Sequence, residues 1–213
     1  MKQTNAISIC VGIKNRTQPL INNLIESLLV VDTFQNIDIE LSVFDCGSDD
    51  VVDVESHIKK YWLKMLKYKE IPSKFTRAHS LNAAVKQARF PWVFLCDADM
   101  SLPPDFPSQY FKNVSENQAW FPICFSLGRN KSRKVSSENG WWRESGFGMV
   151  GMSRKYFLDI GGFNEKAYIK WGGEDNHLYD KTKIKKVRER CYGLFHNWHE
   201  SPMNKWTTPP RFQ

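Results

Sequence analysis

Short, β-branched apolar runs alternate with helical periodicity through the first hundred residues, and that alternation admits few folds. Ile7–Ile13 is almost wholly apolar, as expected of a strand covered on both faces. Thr17 then offers an N-cap with Pro19 in the first turn, and Ile21, Leu24, Ile25, Leu28 and Leu29 follow at one-face helical spacing. Ile39–Phe44 reads as a second strand, 52–66 as a helix, and Lys67–Ile71 as a third strand. A helix over Thr76–Ala88 precedes a fourth strand, Trp92–Cys96, that runs directly into Asp97-Ala98-Asp99. Strands separated by helices at this interval predict right-handed βαβ units, hence an α/β fold with a mostly parallel, doubly wound sheet. Ligands of such sheets sit at the carboxyl ends of the strands, where the acidic clusters Asp45–Asp50 and Asp97–Asp99 both lie.

The second half has a different texture. Six of the eight tryptophans fall there, among many glycines. Trp120–Phe125 and Met149–Ser153 read as strands. Arg154–Ile160 reads as a short helix capped by Ser153 and stopped by Gly161, and a further helix starts near Glu174. Gly128–Gly140 reads as a mobile loop. At 213 residues the chain is expected to be one domain, with a nucleotide-binding half over 1–105 and an acceptor and catalytic half over 106–213.

Composition excludes several classes. The longest apolar run, Phe90–Cys96, contains a proline and falls far short of the roughly 20 residues of a membrane helix. With no signal peptide before Ile7, a soluble, cytoplasmic protein is expected. Five scattered cysteines, an odd number, read as reduced core thiols. A net charge of +7 tolerates an anionic partner. The basic run Lys181–Arg190 reads as a solvated segment, because no nucleic-acid module surrounds it.

Four stretches can carry chemistry. Asp97 and Asp99, with one small residue between them at a fraying strand end, can both reach one divalent cation; a strand-end turn with solvated aspartates is the plain alternative. His196 and His199, three apart, can present two imidazoles on one side of a turn, although histidines among aromatics are commonly packing elements. Carboxylate oxygen with imidazole nitrogen favours Mn²⁺ over Mg²⁺. In Trp171-Gly172-Gly173-Glu174-Asp175 the glycines permit positive φ and close ligand approach. Two acids then stand where a helix N-terminus favours negative charge, and Trp171 is suited to stack on a sugar. Finally, Asp45 can accept from a base imide or close an Asx-turn, and Arg77 can meet a phosphate or base.

These elements keep a familiar order. Gly12-Ile13-Lys14-Asn15-Arg16 comes first, then Asp45-x-Gly47-Ser48, Arg77-x-x-x-Leu81-Asn82 and Asp97-Ala98-Asp99. Trp142-Arg143-Glu144-Ser145-Gly146-Phe147-Gly148-Met149 follows, with Ile160-Gly161-Gly162-Phe163-Asn164, Trp171 to Tyr179 and Gly193-Leu194-Phe195-His196-x-Trp198-His199-Glu200 after it. Over nearly its whole length the chain resembles the inverting, family 2-like GT-A glycosyltransferases. The likeness is to the branch joining chondroitin N-acetylgalactosaminyltransferases and chondroitin synthases to β-1,4-galactosyltransferases. The resemblance implies a single Rossmann-like GT-A domain that transfers a Gal- or GalNAc-type sugar from a UDP-sugar donor to a glycan acceptor with inversion. It implies Asp99, His199 and His196 as Mn²⁺ ligands, Asp97 at the ribose or metal shell, and Asp45, Arg16 and Arg77 around the nucleotide. Asp175 would be the catalytic base, with Glu174, Gly173, Trp171 and Trp142 binding substrate.

Asn176 stands where galactosyltransferases carry a third acid, which leans the pattern towards the chondroitin type. The animal enzymes of the branch carry an anchor and stem; a chain without them suits bacterial-style capsule or glycan assembly, with peripheral membrane association open to it. Two rivals stand beside this reading: a metal-dependent nucleotidyltransferase and a non-catalytic glycan-binding module.

Overall fold

The computed structural model describes residues 6–34, 37–50, 56, 66–169 and 172–200. The Ile7 run becomes β1 (Ala6–Ile13), flanked in parallel by β2 (Asp38–Asp45) on one side and β4 (Trp92–Leu95) on the other. β3 (Leu66–Glu70) adds in parallel to β2. The second half then extends the same sheet: β9 (Val150–Ser153) pairs antiparallel to β4, and β6 (Gln118–Trp120) antiparallel to β9. With β10 (Lys185–Val187) parallel to β6, the order is β10-β6-β9-β4-β1-β2-β3, and β9 alone runs against the rest. This is the expected mixed α/β fold with a mostly parallel sheet.

A smaller sheet was not anticipated. It takes the order β5-β11-β7-β8, from β5 (Met100–Ser101), β11 (Arg190–His196), β7 (Ile123–Leu127) and β8 (Gly140–Trp142). The predicted strand Trp120–Phe125 is in fact two, β6 and β7, in different sheets. Between them lies Pro122, which has no N–H to give a ladder.

β1 is buried on both faces, as its composition predicts. Ile7, Ile9, Val11 and Ile13 join Leu20, Leu24 and Leu28 in one core cluster. Cys10 faces Leu81, Ala84 and Val85 in a second. Buried Glu40 is neutralised inside: it accepts from the Ser8 hydroxyl (3.0 Å) and the Arg89 N–H (2.9 Å) and pairs with the Arg89 guanidinium. All five cysteines are buried and free.

The helix after β1 starts differently from expectation. Thr17 is its first helical residue, and its N–H is held by Asp50 Oδ2 at 2.9 Å across the loop. One α turn, α1 (Thr17–Pro19), passes into a π segment (Leu20–Ile25) and then α2 (Glu26–Phe34). The Asn23 amide takes the Pro19 carbonyl at 3.0 Å, the kind of side-chain competition that loosens a regular ladder. The helix expected over 52–66 falls almost wholly outside the described residues. Among the described residues no helix is long and apolar enough to cross a membrane.

α3 (Arg77–Gln87), capped by Thr76, packs so closely on β1 that a Cβ at Gly12 would lie 2.0 Å from Ser80 Oγ and 2.4 Å from Ser80 Cβ. Gly12→Ala is therefore expected to destabilise the fold by about 1–3 kcal/mol through overpacking, read as a lowered midpoint in denaturant unfolding. An unchanged midpoint would mean that the helix rides higher on the sheet than described.

Candidate active site

β4 delivers Asp97-Ala98-Asp99 to the carboxyl edge of the main sheet, and β5 carries the chain onward as the edge of the smaller one. β11 pairs antiparallel with β5, placing His196 opposite Met100. Asn197 completes the junction: its N–H and its amide both donate to the Asp99 carbonyl (2.9 and 2.8 Å), and the amide reaches Ser101 Oγ at 2.8 Å. Residues nearly a hundred positions apart are thereby fixed side by side.

The result is a cluster of Asp99, His196 and His199 whose ligand atoms lie within 4.8 Å of one another. His199 Nε2 is 3.1 Å from Asp99 Oδ2, and His196 Nε2 is 3.8 Å from Asp99 Oδ1. Each ring is aimed by its other nitrogen. His196 Nδ1 meets Ser126 Oγ at 3.2 Å, and His199 Nδ1 donates to the Glu200 carbonyl at 3.1 Å, leaving its Nε2 as the ligand atom. Asp99 Oδ1 is buried without a hydrogen-bond partner. An orphaned carboxylate oxygen facing two imidazoles fits a divalent cation, and this mixed donor set suits Mn²⁺ better than Mg²⁺.

The electrostatics agree. Burial pushes the Asp99 carboxyl up, but the His199 hydrogen bond and the charges of His196, His199 and Arg16 outweigh it and hold it below its usual range. Burial lowers His196, whereas the bond to Asp99 raises His199. Arg16, half-buried after β1, thus acts on the cluster from the first half of the chain.

Asp97 turns elsewhere. Its carboxylate pairs with Arg77 Nε at 2.8 Å and lies outside the three-residue cluster, so the two aspartates do not converge on one point. Arg77 also reaches Glu174 Oε1 at 3.6 Å and donates to the Gly148 carbonyl. Burial disfavours its charge, but Asp97, Glu174 and Asp175 together hold its pKa above the ordinary value. Arg77 is therefore a hub between the aspartate-bearing strand end and the helix that begins at Glu174.

That helix, α6 (Glu174–Lys181), follows Phe106–Asn113 (α4) and the shorter Arg154–Asp159 (α5). It starts from Gly173 at φ +88°, a left-handed conformation that glycine adopts without strain. Buried Glu174 folds back to accept from the Gly172 N–H at 3.0 Å. Asp175 accepts from the Phe147 N–H through Oδ2 and the Asn176 N–H through Oδ1, both at 2.9 Å. The Phe147 ring is clamped in turn, stacked on Tyr179 at 3.8 Å with the Arg188 guanidinium 4.5 Å from its centroid. Trp171 lies outside the described residues.

Two other candidates are occupied by structural contacts. Asp45 is fully buried at the end of β2; its Oδ1 accepts from the Ser48 N–H and hydroxyl (2.8 and 2.7 Å) and its Oδ2 from the Tyr68 hydroxyl (2.5 Å). This is the Asx-turn alternative. Trp142 sits opposite Phe125 in the β7–β8 register, edge-on to Phe125 and Tyr192 with Arg190 near its ring. His196 stands opposite Ser126, so Trp142 belongs to the other face of the small sheet. Ser126, Asn197 and Phe147, which orient the cluster and Asp175, escaped the sequence reading; the Asn between two candidate ligand histidines was the one available signal.

Known proteins resemble this chain in sequence and in fold. A family model described as chondroitin N-acetylgalactosaminyltransferase matches residues 4–208. Human chondroitin sulfate N-acetylgalactosaminyltransferase 1 is 29% identical over 204 residues, covering 82% of this chain and 37% of the relative. Mouse N-acetyl-beta-glucosaminyl-glycoprotein 4-beta-N-acetylgalactosaminyltransferase 1 is 27% identical, covering 99% of this chain and 21% of that protein. The chain therefore spans well under half the length of either relative. Among solved structures, S. aureus TarS 1-349 in complex with UDP-GlcNAc superposes with a TM-score of 0.66 at 15% identity, covering 92% of this chain and 59% of that one. The mannosyltransferase PcManGT from Pyrobaculum calidifontis, in complex with GDP-Man and Mn²⁺, gives 0.61 at 17%, covering 90% and 56%. With the family model spanning all but the ends of the sequence and the fold shared with GT-A glycosyltransferases, the protein belongs to the chondroitin N-acetylgalactosaminyltransferase family.

Proposed function

We propose that the chain is a metal-dependent, inverting glycosyltransferase that moves a hexose or N-acetylhexosamine, of Gal or GalNAc type, from a UDP-sugar to a glycan hydroxyl with formation of a β-linkage. The observation that carries this reading is the Asp99–His196–His199 cluster, joined through Asp97 and Arg77 to the helix bearing Glu174 and Asp175. Relatives named as N-acetylgalactosaminyltransferases support the donor type, and neighbours solved with UDP-GlcNAc and with Mn²⁺ support the nucleotide and the metal. Family membership favours transfer over nucleotidyl chemistry or mere glycan binding.

Asp99, His196 and His199 would hold Mn²⁺, which when bound would supply positive charge to the diphosphate leaving group in place of a general acid. Arg16, whose charge already acts on this cluster, adds to that field. Asp175 accepts the proton of the acceptor hydroxyl as its oxygen attacks the anomeric carbon from the face opposite the diphosphate. The Phe147 and Asn176 N–H groups hold that carboxylate in a fixed orientation. Buried Glu174, braced by Arg77, lies beside it to contact sugar hydroxyls.

Calorimetry with UDP and Mn²⁺ tests the reading. UDP is expected to bind with Mn²⁺ present and to lose at least tenfold in affinity on chelation or in Asp99→Ala. UDP affinity indifferent to both would remove the metal assignment, and absence of UDP binding would remove the nucleotide assignment. A panel containing UDP-GalNAc and UDP-Gal then identifies the donor by metal-dependent hydrolysis.

A further inference from the structure

The small sheet presents a tryptophan that the reaction above does not use. Trp141 is 57% exposed and stands opposite Ser126 in the β7–β8 register, while Ser126 stands opposite His196 in the β7–β11 register. Paired residues on neighbouring strands share a face, and the 3.2 Å contact between Ser126 and His196 shows that they do so here. Trp141 therefore lies in the same row as a metal-ligand candidate. Two strand spacings separate them, roughly 10 Å, about the reach of one or two sugar rings.

Its side of the cluster is also defined. The opposite edge strand of the sheet, β5, lies against the first half of the chain: Ser101 Oγ donates to the Asn23 carbonyl and the neighbouring Leu102 N–H donates to Ser27 Oγ. β8 is the far edge, away from the nucleotide-side residues. From Trp141 the chain runs six residues to Phe147, whose N–H holds Asp175. The segment that carries Trp141 thus continues along the chain to the residue that holds the proposed base. Arg143 lies two residues on, beside Cys124 on that same face, and its charge reaches His196. Its neighbour Glu144 is taken by Arg190 at 2.6 Å, whereas Arg143 has no ion pair among the described residues.

We propose that Trp141 and Arg143 form a subsite for a sugar residue of the acceptor glycan, the indole stacking on the C–H face of a pyranose and the guanidinium donating to its oxygen atoms. This rests on the transferase reading above, because it takes the row beyond the cation as the acceptor side. Intrinsic fluorescence titration of the Mn²⁺- and UDP-loaded protein tests it, with a chondroitin hexasaccharide and a chitotriose as probes. At least one probe is expected to bind the wild type. Trp141→Ala is expected to weaken that binding tenfold or more with UDP affinity within twofold of wild type, and Trp141→Phe to recover most of it. Arg143→Ala is expected to weaken it several-fold. Wild-type protein that binds neither probe, undiminished binding in Trp141→Ala, or a parallel loss of UDP affinity would each overturn the subsite. The two readings fail separately: loss of transfer in Asp175→Asn with unaltered probe binding in Trp141→Ala removes only the platform. Probe binding that depends on Trp141 in a protein that transfers no sugar removes only the reaction.

Discussion

Asp175→Asn is expected to reduce sugar transfer by about 10²–10⁴-fold, the usual contribution of a general base, with UDP affinity retained. The substitution keeps the size and planarity of the side chain. An amide oxygen still accepts one of the two N–H groups, from Phe147 or Asn176, that now hold the carboxylate. It cannot take a proton from an attacking hydroxyl, so kcat falls far more than substrate binding. Transfer kinetics beside UDP calorimetry separate the two effects. Full transfer activity in the variant would send the base assignment elsewhere, with Glu174 the nearest other carboxylate on the helix.

The second large effect falls on stability. Arg77 holds Asp97 at 2.8 Å, Glu174 at 3.6 Å and the Gly148 carbonyl from a position only 10% exposed. Arg77→Met leaves the Glu174 carboxylate buried with a single remaining N–H, from Gly172. Breaking one side of a buried pair costs about 3–5 kcal/mol. For a domain of this size that is a fall in Tm on the order of 10 °C. Arg77→Lys is expected to recover only part, because a point charge cannot serve three acceptors in a planar fork. A thermal scan decides it: a Tm within 2–3 °C of wild type, the shift of only about 1 kcal/mol, would show that the hub is dispensable.

The parallel half of the fold was legible because its strands are buried on both faces and so carry an unbroken apolar signal, as in β1. The small sheet was not. β5 is two residues long, too short for any periodicity, yet its pairing with β11 assembles the cation cluster. The ligand chemistry of Asp99, His196 and His199 could be named from residue type; their convergence came from Ser126, which carries no recognisable spacing, and from Asn197, signalled only by its place between the two histidines. Asp97 and Asp99 read alike in sequence, and only the position of Arg77 parts them. Trp141 and Trp142 show the limit most plainly. Adjacent strand residues point to opposite faces, so a one-residue uncertainty in register exchanges the exposed ring for the packed one.

The 98-residue span from Asp99 to Asn197 also sets an order of events during synthesis. Domain halves rich in near-neighbour βαβ contacts form early, while contacts closing long loops form late. A nascent chain that has folded through β4 still lacks both imidazoles, so it offers an incoming cation a single carboxylate. On the proposed reading, metal loading waits until β11 and His199 have left the ribosome, and a chain truncated before residue 196 is expected to keep its parallel strands yet lack two of the three candidate ligands.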